Sequence, residues 1–254
     1  GYTGAGPYPQ TYISLENEKD LLVAEADKKK NKFLRRYKEY TKVFNAKYNL
    51  PFAGEYILGG KLHYLNEYRG IADAYEVKSM DNNALVLLNG GEIDLENDQV
   101  SEERKEPYDP MEINERINSL KNALYDYEIE IQIPFSKINF LRLLKVASAN
   151  ARTKVQINYN YNLIFSILDK NNKVQQRFDL SMLDNSISEI GIDHPLTYRE
   201  YSEIIIDYRY LYGLLTSIYH WNNAEVGSQY FTRRRPLNNF RREVQNYLSF
   251  MSSV

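Results

Sequence analysis

Three histidines, His63, His194 and His220, are present in the 254 residues, and no two share an H-x-H or H-x-x-x-H spacing. Metal ligands are often supplied as such close pairs, so no zinc site assembles from a local motif. The chain has no cysteine, which excludes thiolate metal sites, iron–sulfur clusters, disulfides and a cysteine nucleophile. Distant residues can still converge on a metal, and Glu55, His63, Asp73 and Glu76 fall within one segment. No serine sits in a nucleophile-elbow pattern, which leaves serine hydrolysis without support.

The densest group of chemically capable side chains is YHWNNAEVGSQYFTRRRP, residues 219–236. Arg233, Arg234 and Arg235 can clamp a phosphate or carboxylate through bidentate contacts, with Trp221 or Tyr230 as a stacking face and His220, Asn222 and Glu225 alongside. A second reading is equally open. In it Trp221 is buried, the Asn and Glu side chains tie one helix end to the next start, and the arginines are solvated. At the other end, the glycines of GYTGAGP can turn backbone N–H groups toward an anion, which makes Tyr2, Gly4 and Gly6 candidates. That loop lacks Walker spacing and its lysine, and a plain turn explains it as well. The 23 tyrosines invite an aromatic-ligand reading, but abundant Asn, Ile and Lys point to coding bias.

Lys and Arg total 32 against 34 Asp and Glu, so no overall field favours nucleic acid or an anionic membrane. A hydrophobic content of 43% suffices for a packed core. No apolar run approaches the ~20 residues that span a bilayer, and no signal peptide is recognisable. The expectation is a cytoplasmic protein without nucleic-acid or membrane partners. Residues 1–12 begin on a glycine and form a turn-rich opening, which reads as cut from something longer.

These groups need elements to position them. Phe33, Tyr37, Tyr40 and Phe44 recur at helical spacing, predicting an amphipathic helix over 17–47. Residues 51–70 suit a strand end opening into a glycine-broken loop, and residues 84–96 read as a hairpin turning at Asn89, Gly90 and Gly91. The charged stretch 92–110 is the linker candidate, with a boundary near 108. Asp109-Pro110 opens a second helix carrying Ile113, Ile117, Leu120, Leu124 and Tyr127. Ile129, Ile131 and Ile133 switch to a period of two, and a helix follows over about 136–149. Strands are expected at 155–161, on both sides of Lys170–Asn172, and at 203–207. Two last helices carry Tyr208, Leu211, Leu215 and Ile218, then Phe240, Val244, Tyr247, Leu248 and Met251.

The order GYTGAGPYPQTY, then a helix, then PFAGEYILGGKLHYLN resembles the later portion of a metallo-β-lactamase-fold branch that includes CMP-N-acetylneuraminate hydroxylase-like proteins. Residues 211–236 are similar to the closing segment of that branch. The resemblance implies an α+β chain in which 1–108 is the C-terminal half of the αββα sandwich and 109–254 an accessory α+β domain. It also implies zinc or another divalent metal, held by an H-x-H-x-D-H loop, a further His, a bridging Asp and a last His. The loop is missing from this sequence, and His63 is the one positional match to the last ligand. The chain alone is therefore expected to bind no metal tightly and to be inactive. In the intact protein it would join an upstream half, act on a small polar substrate bearing phosphate or sugar, and bring the 1–9 loop and Arg69 near it. The rival reading is a non-catalytic module that binds a ligand or partner through the 219–236 surface.

Overall fold

A computed structural model describes residues 3–4, 6–12, 19–52, 56–238 and 240–254. The chain is mixed α+β and divides into two compact units. The first comprises Gly1–Ala5 with Glu18–Ala123, and the second Gly6–Asn17 with Leu124–Val254. The division falls at Ala123 rather than near 108, because the helix opened by Pro110 packs on a 3-10 helix at Gly60–Tyr68. A short N-terminal stretch moreover belongs to the second unit.

In the first unit, α1 (Lys19–Phe44) is the helix expected from the apolar spacing, with a different buried face. Leu22, Ala26 and Tyr37 are buried, while Tyr40 and Phe44 lie exposed. Gly70, at φ +59°, brings its backbone against α1, where an added Cβ would stand 2.4 Å from the Ala26 carbonyl oxygen. Asp73 and Glu76 form a reciprocal capping box on α2 (Ala74–Lys78) and so are occupied with backbone N–H groups. The core here is small: Tyr37, Ala72, Ala74, Val77, Ala84 and Val86.

The hairpin turns later than predicted. Asn89 and Gly90 make only a local turn, while β1 (Ile93–Asp94) pairs antiparallel with β2 (Gln99–Val100). The Asp94 carboxylate accepts from the backbone N–H groups of Glu96 and Asn97, fixing the tip there. Leu88 N–H then donates to Glu102 O and Arg104 N–H to Val86 O. The charged stretch after 92 is thus the return arm of the hairpin, and not a free linker. Helix α3 (Pro110–Leu120) starts on the predicted Asp109 cap.

The second unit is built on a five-stranded sheet in the order β5-β4-β3-β6-β7. Its strands are β3 (Asn162–Leu168), β4 (Val174–Ser181), β5 (Ile187–Ile190), β6 (Tyr201–Asp207) and β7 (Phe231–Arg235). β3 runs parallel to β6, and the other pairings are antiparallel. The β3–β4 hairpin turns where expected, with Asn172 at φ +60°. One sheet face carries Leu163, Phe165, Ile167, Phe178, Leu180, Ile204 and Ile206, all buried against helices α5 (Phe140–Lys154), α6 (Tyr208–Leu215) and α8 (Arg242–Ser249).

Two expected strands take other forms. Tyr125 and Glu128 cap a short helix, α4 (Asp126–Glu130), so Ile129 lies in a helical turn and only Ile131 is buried of the three isoleucines. Residues 155–161 alternate in burial yet make no ladder, serving as an extended lead into β3.

Candidate functional site

Segment 219–236 supplies the helix α7 (Trp221–Val226) and the edge strand β7. His220 caps α7, its Nδ1 accepting from the Asn222 N–H at 3.1 Å. That bond uses Nδ1 as the acceptor for an N–H of the helix's first turn. Trp221 is buried at 2% exposure, and its indole N–H donates to the Met251 carbonyl at 2.9 Å. The indole therefore fastens the start of α7 to the chain just beyond α8, and offers no exposed stacking face. Asn222 is exposed.

The three arginines do not converge. Strand alternation places Arg233 and Arg235 on one sheet face and Arg234 on the other. Arg233 pairs with Glu203 at 2.7 Å, and Arg235 is exposed. Glu203, 1% exposed, also accepts from Arg177 Nη2 at 2.5 Å and from the Ser166 hydroxyl at 2.6 Å. Arg177 spends a further nitrogen on the carbonyls of Ile192 and His194. Within this Arg–Glu–Arg group the carboxylate and Arg177 are taken up by one another and by backbone carbonyls, while Arg233 is tied to Glu203 through Nη1.

Arg234 faces a different neighbourhood. Its guanidinium lies over the Tyr12 ring at 5.0 Å and the Phe240 ring at 5.8 Å, with Nε donating to Leu237 O at 2.8 Å and Nη1 to the Tyr12 hydroxyl at 3.2 Å. Tyr12 is there because residues 6–12 dock on β7: Thr232 N–H donates to Thr11 O at 2.9 Å, and Gln10 bonds Gly6 O and the Ser228 hydroxyl. The N-terminal segment and Arg234, read as separate candidates, thus meet in one unit. Glu225 is half-buried near Tyr230, and burial pushes its carboxyl up to about 7 against the opposing hydrogen bond of the Tyr230 hydroxyl. Burial likewise raises the Tyr230 hydroxyl well above its ordinary value.

Two recesses of this unit are lined in part by segment 219–236. A cleft of about 700 Å3 is lined by His220, Trp221, Asn223, Lys154, Ile218 and Phe250, among others. Among the described residues its lining includes no Asp or Glu. A smaller recess, about 30 Å3, lies between Tyr12, Arg234 and the first turns of α8.

The remaining candidates lie in the first unit or outside the described residues. Tyr2 is outside them, as are Ala53, Gly54 and Glu55. Gly4 sits where a side chain would strike Phe33, so its missing Cβ serves packing in the first unit. Gly6 carries φ +147°. His63 sits on the 3-10 helix with Nδ1 3.0 Å from Gly60 O and its ring edge-on to Tyr64. Among the described residues, no group of three or more His, Asp or Glu is arranged to hold a metal. Arg69 is buried over the Tyr56 ring at 4.8 Å, and its carbonyl accepts from Lys29 at 2.8 Å. Burial, then the Arg69 charge, draws the Lys29 amine down to about 8.

Sequence reasoning missed Arg177, Glu203, Arg241 and Gln245. The first two are far apart in sequence and meet only through sheet register. Arg241 is the N-cap residue of α8 and Gln245 follows four residues on, in the helix. Among the described residues, no helix is long and apolar enough to cross a membrane. Comparison with protein families, curated proteins and solved structures finds no match for this chain.

Proposed function

We propose that the chain is the C-terminal portion of a metal-dependent hydrolase of the metallo-β-lactamase superfamily, acting on a polar substrate bearing phosphate or sugar. The first unit contributes part of the αββα sandwich, and upstream residues bring the metal ligands that join His63. The observation carrying this reading is the apolar surface of the first unit. Val43 (77% exposed), Phe44 (76%) and Phe52 (81%) stand in water beside a small core, which suits a sandwich covered by a further layer. The ordered segments GYTGAGPYPQTY, helix and PFAG support it. The coding sequence upstream tests it. An H-x-H-x-D-H motif within roughly the preceding two hundred residues is expected, the size of one domain, and a start codon directly before Gly1 contradicts it.

For the second unit a recognition role is favoured over chemistry. The 700 Å3 cleft presents amide, hydroxyl, imidazole and amine groups beside apolar side chains, with no carboxylate side chain among the described residues of its lining. Such a unit holds a substrate or partner for the hydrolase. Fluorescence of Trp221, the single tryptophan, reports occupancy of the cleft. Ligands of the intact protein should shift its emission, and an Asn223→Ala variant should weaken that response without lowering kcat. A fall in kcat at unchanged KM contradicts the recognition role.

A further inference from the structure

The smaller recess of the second unit carries chemistry of its own. Two side-chain donors on its wall, Arg241 Nε and Gln245 Nε2, are buried and have no hydrogen-bond acceptor. Buried donors left without a partner are costly, and native structures nearly always supply one. A third donor group, the Arg234 guanidinium, lines the same space and is fixed there by Tyr12, Phe240 and the Leu237 carbonyl. Arg241 is itself anchored from the far side, with Nη2 on Glu200 at 2.7 Å and its guanidinium over Tyr159 at 5.0 Å. Helix α8 also begins at this point without a side-chain cap, which adds the partial positive charge of its first turn.

No Asp or Glu is among the described residues lining the recess. Two guanidinium groups and an amide therefore converge on a space that holds no built-in anion. Its volume, about 30 Å3, decides the size of what fits. One water needs roughly 10–15 Å3 of such space, so the recess takes a head group of a few heavy atoms and excludes a sugar ring or a base.

We infer that the second unit binds an oxyanion, a phosphate-type head group, between Arg234, Arg241 and Gln245. The planar guanidinium of Arg234, held by two aromatic rings, presents fixed N–H directions of the kind that select oxygen anions over halide. This site shares no lining residue with the 700 Å3 cleft, so the two readings stand or fall separately.

Calorimetric titration of the full chain with inorganic phosphate, at constant ionic strength and with chloride as comparison, tests the site. Saturable binding of one phosphate per chain is expected, with no saturable heat from chloride. Gln245→Leu, close in shape, should weaken it about tenfold, as loss of one hydrogen bond to a charged group does. Arg234→Gln should weaken it further, and exposed Arg235→Gln should leave it unchanged. Methyl phosphate binding as well as phosphate assigns the head group of a larger ligand, while phosphate alone assigns the free ion. Absence of saturable binding, unchanged affinity in the folded Gln245→Leu variant, or equal losses from Arg234→Gln and Arg235→Gln overturns the proposal.

Discussion

Arg177 and Glu203 meet inside the second unit at 2.5 Å, from strands β4 and β6, with β3 between them contributing the Ser166 hydroxyl to the same carboxylate oxygen. Arg233 completes the group from β7. Four strands are thereby tied by one carboxylate. Glu203→Gln leaves two arginines without their anion, and removing one member of such a buried group costs about 3–5 kcal/mol. Urea denaturation should show that loss in the second unit. A change below about 1 kcal/mol, the value of an exposed pair, means the group is solvated rather than buried.

The N-terminal segment is structural for the second unit. Thr11 and Tyr12 extend the β7 edge, and Gln10 reaches the Ser228 hydroxyl at 3.1 Å in a buried bond. Removing residues 1–12 should expose β7 backbone protons to faster hydrogen exchange and lower the unfolding midpoint. Equal exchange at Thr232 in the two proteins contradicts the docking.

Gly70 constrains the first unit alone. Alanine there adds positive-φ strain of roughly 1 kcal/mol, and its Cβ falls on α1 backbone, 2.8 Å from the Ala26 Cα. Gly70→Ala should therefore cost more than that strain. Hydrogen exchange should quicken along α1 while the β3–β4 hairpin keeps its protection. Unaltered α1 protection counts against this packing.

Glu225 gives the second unit a pH dependence near neutrality. Its folded pKa, about 7, lies above the ordinary value of 4.5, so the folded state holds the proton more tightly than the unfolded state. Stability from this group is fully present below pH 4.5 and is lost as pH rises to about 7. Partial exposure screens the effect, leaving on the order of 1–2 kcal/mol. Glu225→Gln should flatten the stability profile between pH 5 and 8 and gain stability at the upper end. A parallel profile for the two proteins contradicts a raised carboxyl.

Local signals carried well where a single residue type decides the backbone. Asp109-Pro110 capped its helix, and the Lys170–Asn172 turn formed with Asn172 at positive φ. Periodicity misled where a side chain competed locally. Glu128 caps Tyr125 and turns the Ile129–Ile131 alternation into helix, and Asp94 moves the hairpin tip beyond Asn89-Gly90. The arginines of 233–235 were legible as a group, but only strand placement separates Arg234 from its neighbours. Arg241 and Gln245 acquire meaning from a recess whose walls come from residues far apart in sequence, which no local pattern encodes.

Calorimetric zinc titration tests the hydrolase reading most directly, comparing the 254-residue chain with the same chain joined to its natural upstream sequence. Stoichiometric binding is predicted only for the longer protein, and His63→Ala should weaken it at least about tenfold, as loss of a direct ligand must. Tight stoichiometric binding by the 254-residue chain alone, or a longer protein indifferent to His63→Ala, would contradict the account.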